Sequence, residues 1–300
     1  MNALAIIRTW GEMVRFSHSV FALPFALAAT FLAGRQTERG VPTVGQLGLI
    51  VLCMVMARSF AMTFNRIADV AIDARNPRTE KRPLQTGRIT PGQAWLFIVG
   101  SATIFLAGCA GFYRISGNPW PGYLAGPTLL VLAGYSYAKR VTLLTHWALS
   151  AAIGFAPVAA WIAIHPASLG WPAAILMGVV CFWMAGFDII YACQDVEVDR
   201  RDGLFSVPAR VGVARALLIS RACHVLTVGL LVALGLVADL GWIYWVGLAV
   251  TAMLLAVEQA VVSPQNLSRV NLAFFTINGC VSLLLGAATI ADVLVGGAGR

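Results

Sequence analysis

Charge is what this sequence has least of. Asp, Glu, Lys and Arg make up 11% of its 300 residues against 59% for the hydrophobic types, and mean hydropathy is +0.80. A soluble domain carries about a quarter charged residues, so a water-facing globule is excluded. The six cysteines, at 53, 109, 181, 193, 223 and 280, never form C-x-x-C. Dispersed through apolar runs, they read as small buried hydrophobes rather than disulfides or zinc ligands. The four histidines, 18, 146, 165 and 224, are as scattered, and no His-based metal site emerges. No low-complexity tract or Pro/Gly/Ser linker divides the chain, so residues 1–300 read as a single domain. The start lacks a strongly basic leader, and "FSHSVFALPFALAATFLAG" reads as a retained first helix rather than a signal peptide.

What remains is one apolar run after another. Crossing the hydrocarbon layer takes roughly 20 largely apolar residues in a helix. Nine stretches qualify: 16–33, 45–64, 91–113, 121–138, 143–163, 170–191, 214–235, 240–261 and 268–290. The expected fold is all-α, a polytopic membrane protein with nine transmembrane helices bundled around a central cavity open to the cytoplasmic side. Lys and Arg set the orientation. With the N-terminus cytoplasmic, the inner side carries Arg8, Arg15, the six from Arg66 to Arg88, Lys139, Arg140, Arg200, Arg201, Arg210, Arg215 and Arg269. The outer side has Arg35, Arg39, Arg114 and Arg300, while Arg58 and Arg221 fall inside helices. The expected location is therefore the cell (inner) membrane, with N-terminus and site cytoplasmic. The net charge of +8 then belongs to loops beside anionic lipid and not to a nucleic-acid surface.

The scarce acids are clustered. Of 13 acidic residues, Asp69, Asp73 and Glu80 follow the second span, and Asp188, Asp195, Glu197, Asp199 and Asp202 surround the end of the sixth. Asn65, Asp69 and Asp73 are spaced by four, which stacks them along one helical face; Asp195 and Asp199 repeat the spacing. Like charges at this interval repel, so the pattern gains a helix nothing unless a cation sits between. Carboxylates, one or two per ion, suit Mg2+, which completes its shell with water and substrate phosphate. Arg75, Arg78, Lys81, Arg82, Arg88, Lys139, Arg140, Arg200, Arg201 and Arg210 surround the clusters. Metal and cations together suit a leaving pyrophosphate, whose charge grows as its bond breaks. Solvated loops with topological arginines and capping aspartates are the bland alternative, and the matched spacing speaks against it.

Two ionisable groups lie deeper. Arg58 precedes Asn65 by seven residues and Asp188 precedes Asp195 by seven, which sets each about 10 Å further into its helix on the same face; Tyr191 shares the Asp188 face. An intramembrane charge is by default a functional candidate. Arg58 suits the carboxylate of a small aromatic acceptor and Asp188 its phenol; a structural Arg58–Asp188 pair is the alternative. For Arg221 and Glu258, snorkelling or a mutual pair is expected.

These residues resemble the UbiA superfamily of intramembrane prenyltransferases across essentially the whole chain. The family's N-x-x-x-D-x-x-x-D stands here as Asn65, Asp69 and Asp73, followed by "RNPRTEKRPLQTG"; its D-x-x-x-D stands as Asp195 and Asp199. Where many members have Asp after the motif Asn, this chain has Arg66. The resemblance implies transfer of a polyprenyl chain from its diphosphate to an aromatic acceptor. It implies Mg2+ bridged to the diphosphate by Asp69, Asp73, Asp195 and Asp199, with Asn65 assisting. It also implies that Arg82, Lys139 and Arg140 hold diphosphate oxygens, and that Tyr135, Tyr137 or Tyr191 shelters an allylic cation. The prenyl tail, itself a lipid, would leave between helices into the bilayer. The motif regions look most like 4-hydroxybenzoate polyprenyltransferases of quinone biosynthesis, a branch with relatives that take 1,4-dihydroxy-6-naphthoate. A secondary transporter is the rival from another class. Chain length and oligomeric state are left open.

Overall fold

The computed structural model describes residues 3–14 and 19–297. Arg15, residues 16–18 at the start of the first expected span, and Arg300 lie outside the described residues. The helices are α1 (Ala3–Val14), α2 (Ser19–Gly34), α3 (Val44–Ala68), α4 (Val70–Asp73), α5 (Pro91–Ser116), α6 (Trp120–Gly134) and α7 (Thr145–Ile164). They continue as α8 (Trp171–Ala192), α9 (Val196–Arg201), α10 (Val207–Val211), α11 (Val213–Val237), α12 (Trp242–Val261) and α13 (Asn278–Gly297). Among the described residues no strand forms, as an apolar chain with no water to satisfy a sheet edge requires. Seven of the helices, beginning at α3, α5, α7, α8, α11, α12 and just before α13, are long and apolar enough to cross a membrane. The expectation of nine spans is thus met in part: α2 and α6 coincide with two more, but at 16 and 15 residues they are shorter than the roughly 20 a perpendicular crossing takes.

Local sequence fixes the helix starts. Thr43 and Gln46 form a reciprocal capping box on α3, Gln46 N donating to Thr43 Oγ1 at 3.2 Å and Thr43 N to Gln46 Oε1 at 2.8 Å. Thr90 and Gln93 repeat it on α5, with Pro91 in the first turn where no N–H is needed. Small residues then set the packing. On α2, Ala22, Ala26, Ala29 and Ala33 are buried, and the helix lies against both α7 and α13, close approach replacing the hydrophobic drive that lipid cannot supply. The most enclosed helix, α8, is wedged between α7 and α11. A Cβ on Gly154 of α7 would come within 3.1 Å of the Met177 carbonyl of α8, and one on Gly186 of α8 within 2.4 Å of the His224 ring of α11.

Of the alternatives for the charges inside the bundle, the mutual pair is not the one observed. Glu258 is fully buried, accepts from Asn278 Nδ2 at 2.8 Å and lies 3.8 Å from His224 Nδ1. Arg221 is exposed while Glu258 is buried among other partners, and the mutual pair is not formed. All six cysteines are free.

Candidate active site

At one end of the bundle, the C-terminal ends of α3 and α8 carry the two aspartate pairs. The expected unbroken helical face does not continue through either. Asp69 closes α3 at φ −97°, ψ 6° before the single turn of α4, and Asp195 occupies the same conformation, φ −107°, ψ 7°, before α9. Both lie in the bridge region, where the chain turns without leaving a helical path. The i to i−4 bonds survive: Asp69 N donates to Asn65 O at 2.9 Å and Asp73 N to Asp69 O at 2.8 Å. The two halves of the site are thus built alike.

Each of three aspartates is held by protein cations. Asp69, 3% exposed, receives Lys139 Nζ at 2.6 Å, Arg140 Nη2 at 3.2 Å and Asn65 Nδ2 at 3.1 Å. Asp73, also buried, is bonded by Arg82 and lies 3.9 Å from Arg66 Nη1. Asp195 accepts from Asn76 Nδ2 and Arg78 Nε, each at 2.9 Å, and Arg78 Nη2 grips its other oxygen. Arg78 Nη1 also donates to the Tyr191 hydroxyl at 2.8 Å, its guanidinium 4.9 Å from that ring's centre. Burial alone would lower the Arg78 pKa, but the bond and charge of Asp195, with Tyr191 and Asp73 adding, raise it overall. Asp199 stands within electrostatic reach of Asp195, Lys139 and His146, whereas Glu80 and Glu197 point outward and are exposed.

Loop-to-loop bonds draw the distant segments together. Arg201 Nη2 donates to Arg75 O at 2.9 Å, Arg75 Nε pairs with Asp202 at 3.3 Å, and Phe205 N donates to Lys139 O at 2.8 Å. Among the described residues no three His, Cys, Asp or Glu side chains close on one point; the acids are spread over partners of opposite sign. Hard carboxylate oxygens from two segments, each opposed by a mobile-ended Lys or Arg, form a donor set that fits Mg2+ with phosphate. A divalent ion would take the place of those cations, and the cations would turn to phosphate oxygens.

A cavity of about 190 Å³ lies between α2, α3, α5, α6 and α7. Its walls are nearly all apolar, among them Met54, Ala57, Phe105, Leu132, Ile153 and Ala156, and Arg58 is their one charged member. Tyr135 lines it too. Arg58 thus lines a cavity. Asp188 is engaged elsewhere: its Oδ2 lies 2.7 Å from His146 Nδ1, so the carboxylate has a partner other than the Arg58 weighed for it. Tyr191 sits under Arg78 and stacks on Phe274 at 4.1 Å; Tyr137 lies under Arg140 at 5.1 Å.

Two partners have no signature in the sequence. Asn76 reaches an aspartate 119 residues away, its only local signal being the turn-forming Asn-Pro pair. His146, one of four scattered histidines, meets Asp188 only through the packing of α7 on α8.

Comparison with known proteins bears on the family and the fold. The profile of the UbiA prenyltransferase family matches residues 22–280. The 4-hydroxybenzoate solanesyltransferase of Synechocystis sp. is 34% identical over 227 residues, 75% of this chain and 73% of that protein. The 4-hydroxybenzoate octaprenyltransferase of Nitrosospira multiformis is 28% identical over 260 residues, 85% of this chain and 86% of its own. Among solved structures, the apo form of a UbiA homologue from Aeropyrum pernix K1 superposes with a TM-score of 0.82 at 33% identity, covering 92% of this chain and 98% of that one. A UbiA homologue from Archaeoglobus fulgidus, bound to DMAPP and Mg2+, shares the fold at a TM-score of 0.69 and 19% identity, over 96% of this chain and 99% of that one.

Proposed function

Because the chain belongs to the UbiA prenyltransferase family, we propose that it moves a polyprenyl chain from polyprenyl diphosphate to a hydroxyaryl carboxylate, 4-hydroxybenzoate, in quinone biosynthesis. One observation carries the reading. Three aspartates are each gripped by Lys or Arg, and a nearby apolar cavity, whose one charged lining residue among the described residues is Arg58, includes Tyr135, which lies within electrostatic reach of Asp69. Diphosphate, prenyl chain and carboxylate each find a region of matching polarity there. The names of the relatives, 4-hydroxybenzoate polyprenyltransferases, support the acceptor.

In this mechanism Asp69, Asp73, Asp195 and Asp199, with Asn65, hold Mg2+, which when bound neutralises charge on the diphosphate. Lys139, Arg140, Arg82 and Arg78 bind its oxygens as the allylic C–O bond breaks and the electron pair passes to oxygen. The faces of Tyr135, Tyr137 and Tyr191 favour the cation that results and exclude water from it. Arg58 binds the acceptor's carboxylate and Asp188 takes the phenol proton, which raises electron density at the ring carbon beside the hydroxyl. That carbon supplies the pair for the new C–C bond. The ring proton then leaves with the diphosphate, and Asp188 returns its proton to oxygen. By the Lys and Arg asymmetry, the site faces the cytoplasm across the inner membrane. A secondary transporter would gather its ionisable groups near the midplane; here they stand where helices end.

The test is purified protein with Mg2+, radiolabelled polyprenyl diphosphate and a panel of 4-hydroxybenzoate and 1,4-dihydroxy-6-naphthoate. A lipid-soluble product with the benzoate is expected. Product with the naphthoate alone moves the enzyme to that acceptor, and no product with either, together with substrate uptake in proteoliposomes, refutes the enzyme reading.

A further inference from the structure

His146 is buried, 4% exposed, and both its ring nitrogens are engaged. The N–H of Val207, first residue of α10, points at Nε2 at 3.2 Å. A backbone N–H can only donate, so Nε2 is the unprotonated nitrogen and Nδ1 carries the hydrogen, which it gives to Asp188 Oδ2 at 2.7 Å. The ring is itself fixed: its residue opens α7, and Ser150 Oγ bonds the His146 carbonyl at 2.6 Å. Among the described residues His146 is the single hydrogen-bond partner of Asp188, whose side chain is 22% exposed. The carboxylate thus has one oxygen held by the imidazole and is otherwise partly open. The other charge within electrostatic reach of His146 is Asp199.

We propose that His146 is a positioning residue for aromatic prenyl transfer. It holds Asp188 in one rotamer, Oδ2 occupied and Oδ1 turned to the acceptor's hydroxyl. The inference rests on the function proposed above and adds a residue that neither motif contains. In the proton step, the phenol O–H bond breaks, its electron pair stays on the phenol oxygen, and the proton goes to Asp188 Oδ1. The imidazole gives and takes no proton; its Nδ1–H keeps the carboxylate in place. A purely structural tie between α7, α8 and α10 makes a different prediction, and the two can be separated.

The experiment compares wild type, His146→Leu and His146→Gln as purified full-length proteins with Mg2+ and polyprenyl diphosphate. The acceptors are 4-hydroxybenzoate and 3-fluoro-4-hydroxybenzoate, whose phenol is more acidic. Leucine removes both bonds; glutamine can donate an amide N–H to Asp188 and accept from Val207. The expected result is a fall in kcat of roughly tenfold or more for His146→Leu with 4-hydroxybenzoate, the KM for the diphosphate holding within about twofold. The loss is smaller with the fluorinated acceptor, which needs its base less, and His146→Gln restores both. Should the leucine variant not fold, His146→Met carries the same comparison. Equal losses on the two acceptors, or no restoration by glutamine in a folded protein, would overturn the role of His146 and leave the prenyltransferase intact. Absence of product from the wild type with either acid overturns the aromatic-acceptor reading, and this inference with it.

Discussion

Replacing Asp195 by Asn removes one charge and almost no volume, so it separates the electrostatics of the site from its packing. The carboxylate accepts from Asn76 and, through both oxygens, from Arg78. With Asn there, one oxygen remains and an NH2 group faces the guanidinium. The stability cost is small: the Arg78 side chain is 29% exposed, and a pair so placed contributes about 0–1 kcal/mol, which lowers the melting temperature by no more than about 4 °C. The catalytic cost is of another order. One unit charge about 4 Å from its partner at an effective dielectric of about 20 is worth about 4 kcal/mol, close to 10³ in rate. The remaining oxygen keeps part of that, which sets the expected loss at about 100-fold or more. Transfer of radiolabelled prenyl chain to 4-hydroxybenzoate measures the rate, and thermal unfolding in detergent measures the fold. Turnover within about threefold of wild type would refute the assignment of Asp195 to the diphosphate and its ion. A melting point lowered by about 10 °C or more would show the mutation acting through folding.

Arg58→Ala is expected to raise the KM for the aromatic acid by roughly 10- to 100-fold, the worth of a charge-assisted bond, with little change for the diphosphate; equal changes on both would return Arg58 to a structural role. Ala156→Phe, filling the wall of the 190 Å³ cavity, should slow transfer from long polyprenyl donors more than from dimethylallyl diphosphate. A uniform loss across donors would mean that the chain lies elsewhere. Glu258→Ala leaves Asn278 without its 2.8 Å acceptor and should cost about 1–3 kcal/mol, read as a drop in melting temperature that Glu258→Gln largely recovers; identical melting for the two variants would contradict it.

Much of this was legible in the one-dimensional pattern because membranes simplify the problem. Backbone groups in hydrocarbon must bond within their own helix, so apolar runs locate helices without knowledge of their neighbours, and α3, α5, α7 and α11 begin within a few residues of expectation. The aspartate clusters stood out for the same reason: a charge in so apolar a chain needs a purpose. Periodicity could not show that Asp69 and Asp195 each sit at a break in the helix, because a four-residue spacing is compatible with a continuous turn and with one that bends. Asp292, outside both clusters, has a structural role. That residue accepts from Gly241 N at 2.7 Å and caps α12.

The sequence by itself determined that this chain lies in a membrane as helices and that two separated segments bring carboxylates to the ends of α3 and α8, because composition and spacing are local properties of the chain. Which partner meets which aspartate was settled only by tertiary packing. Arg78 on Asp195, Lys139 on Asp69 and His146 on Asp188 join residues 117, 70 and 42 positions apart. Such bonds follow from how α7, α8 and the loop after α4 approach one another in space, and no interval along the chain encodes that approach.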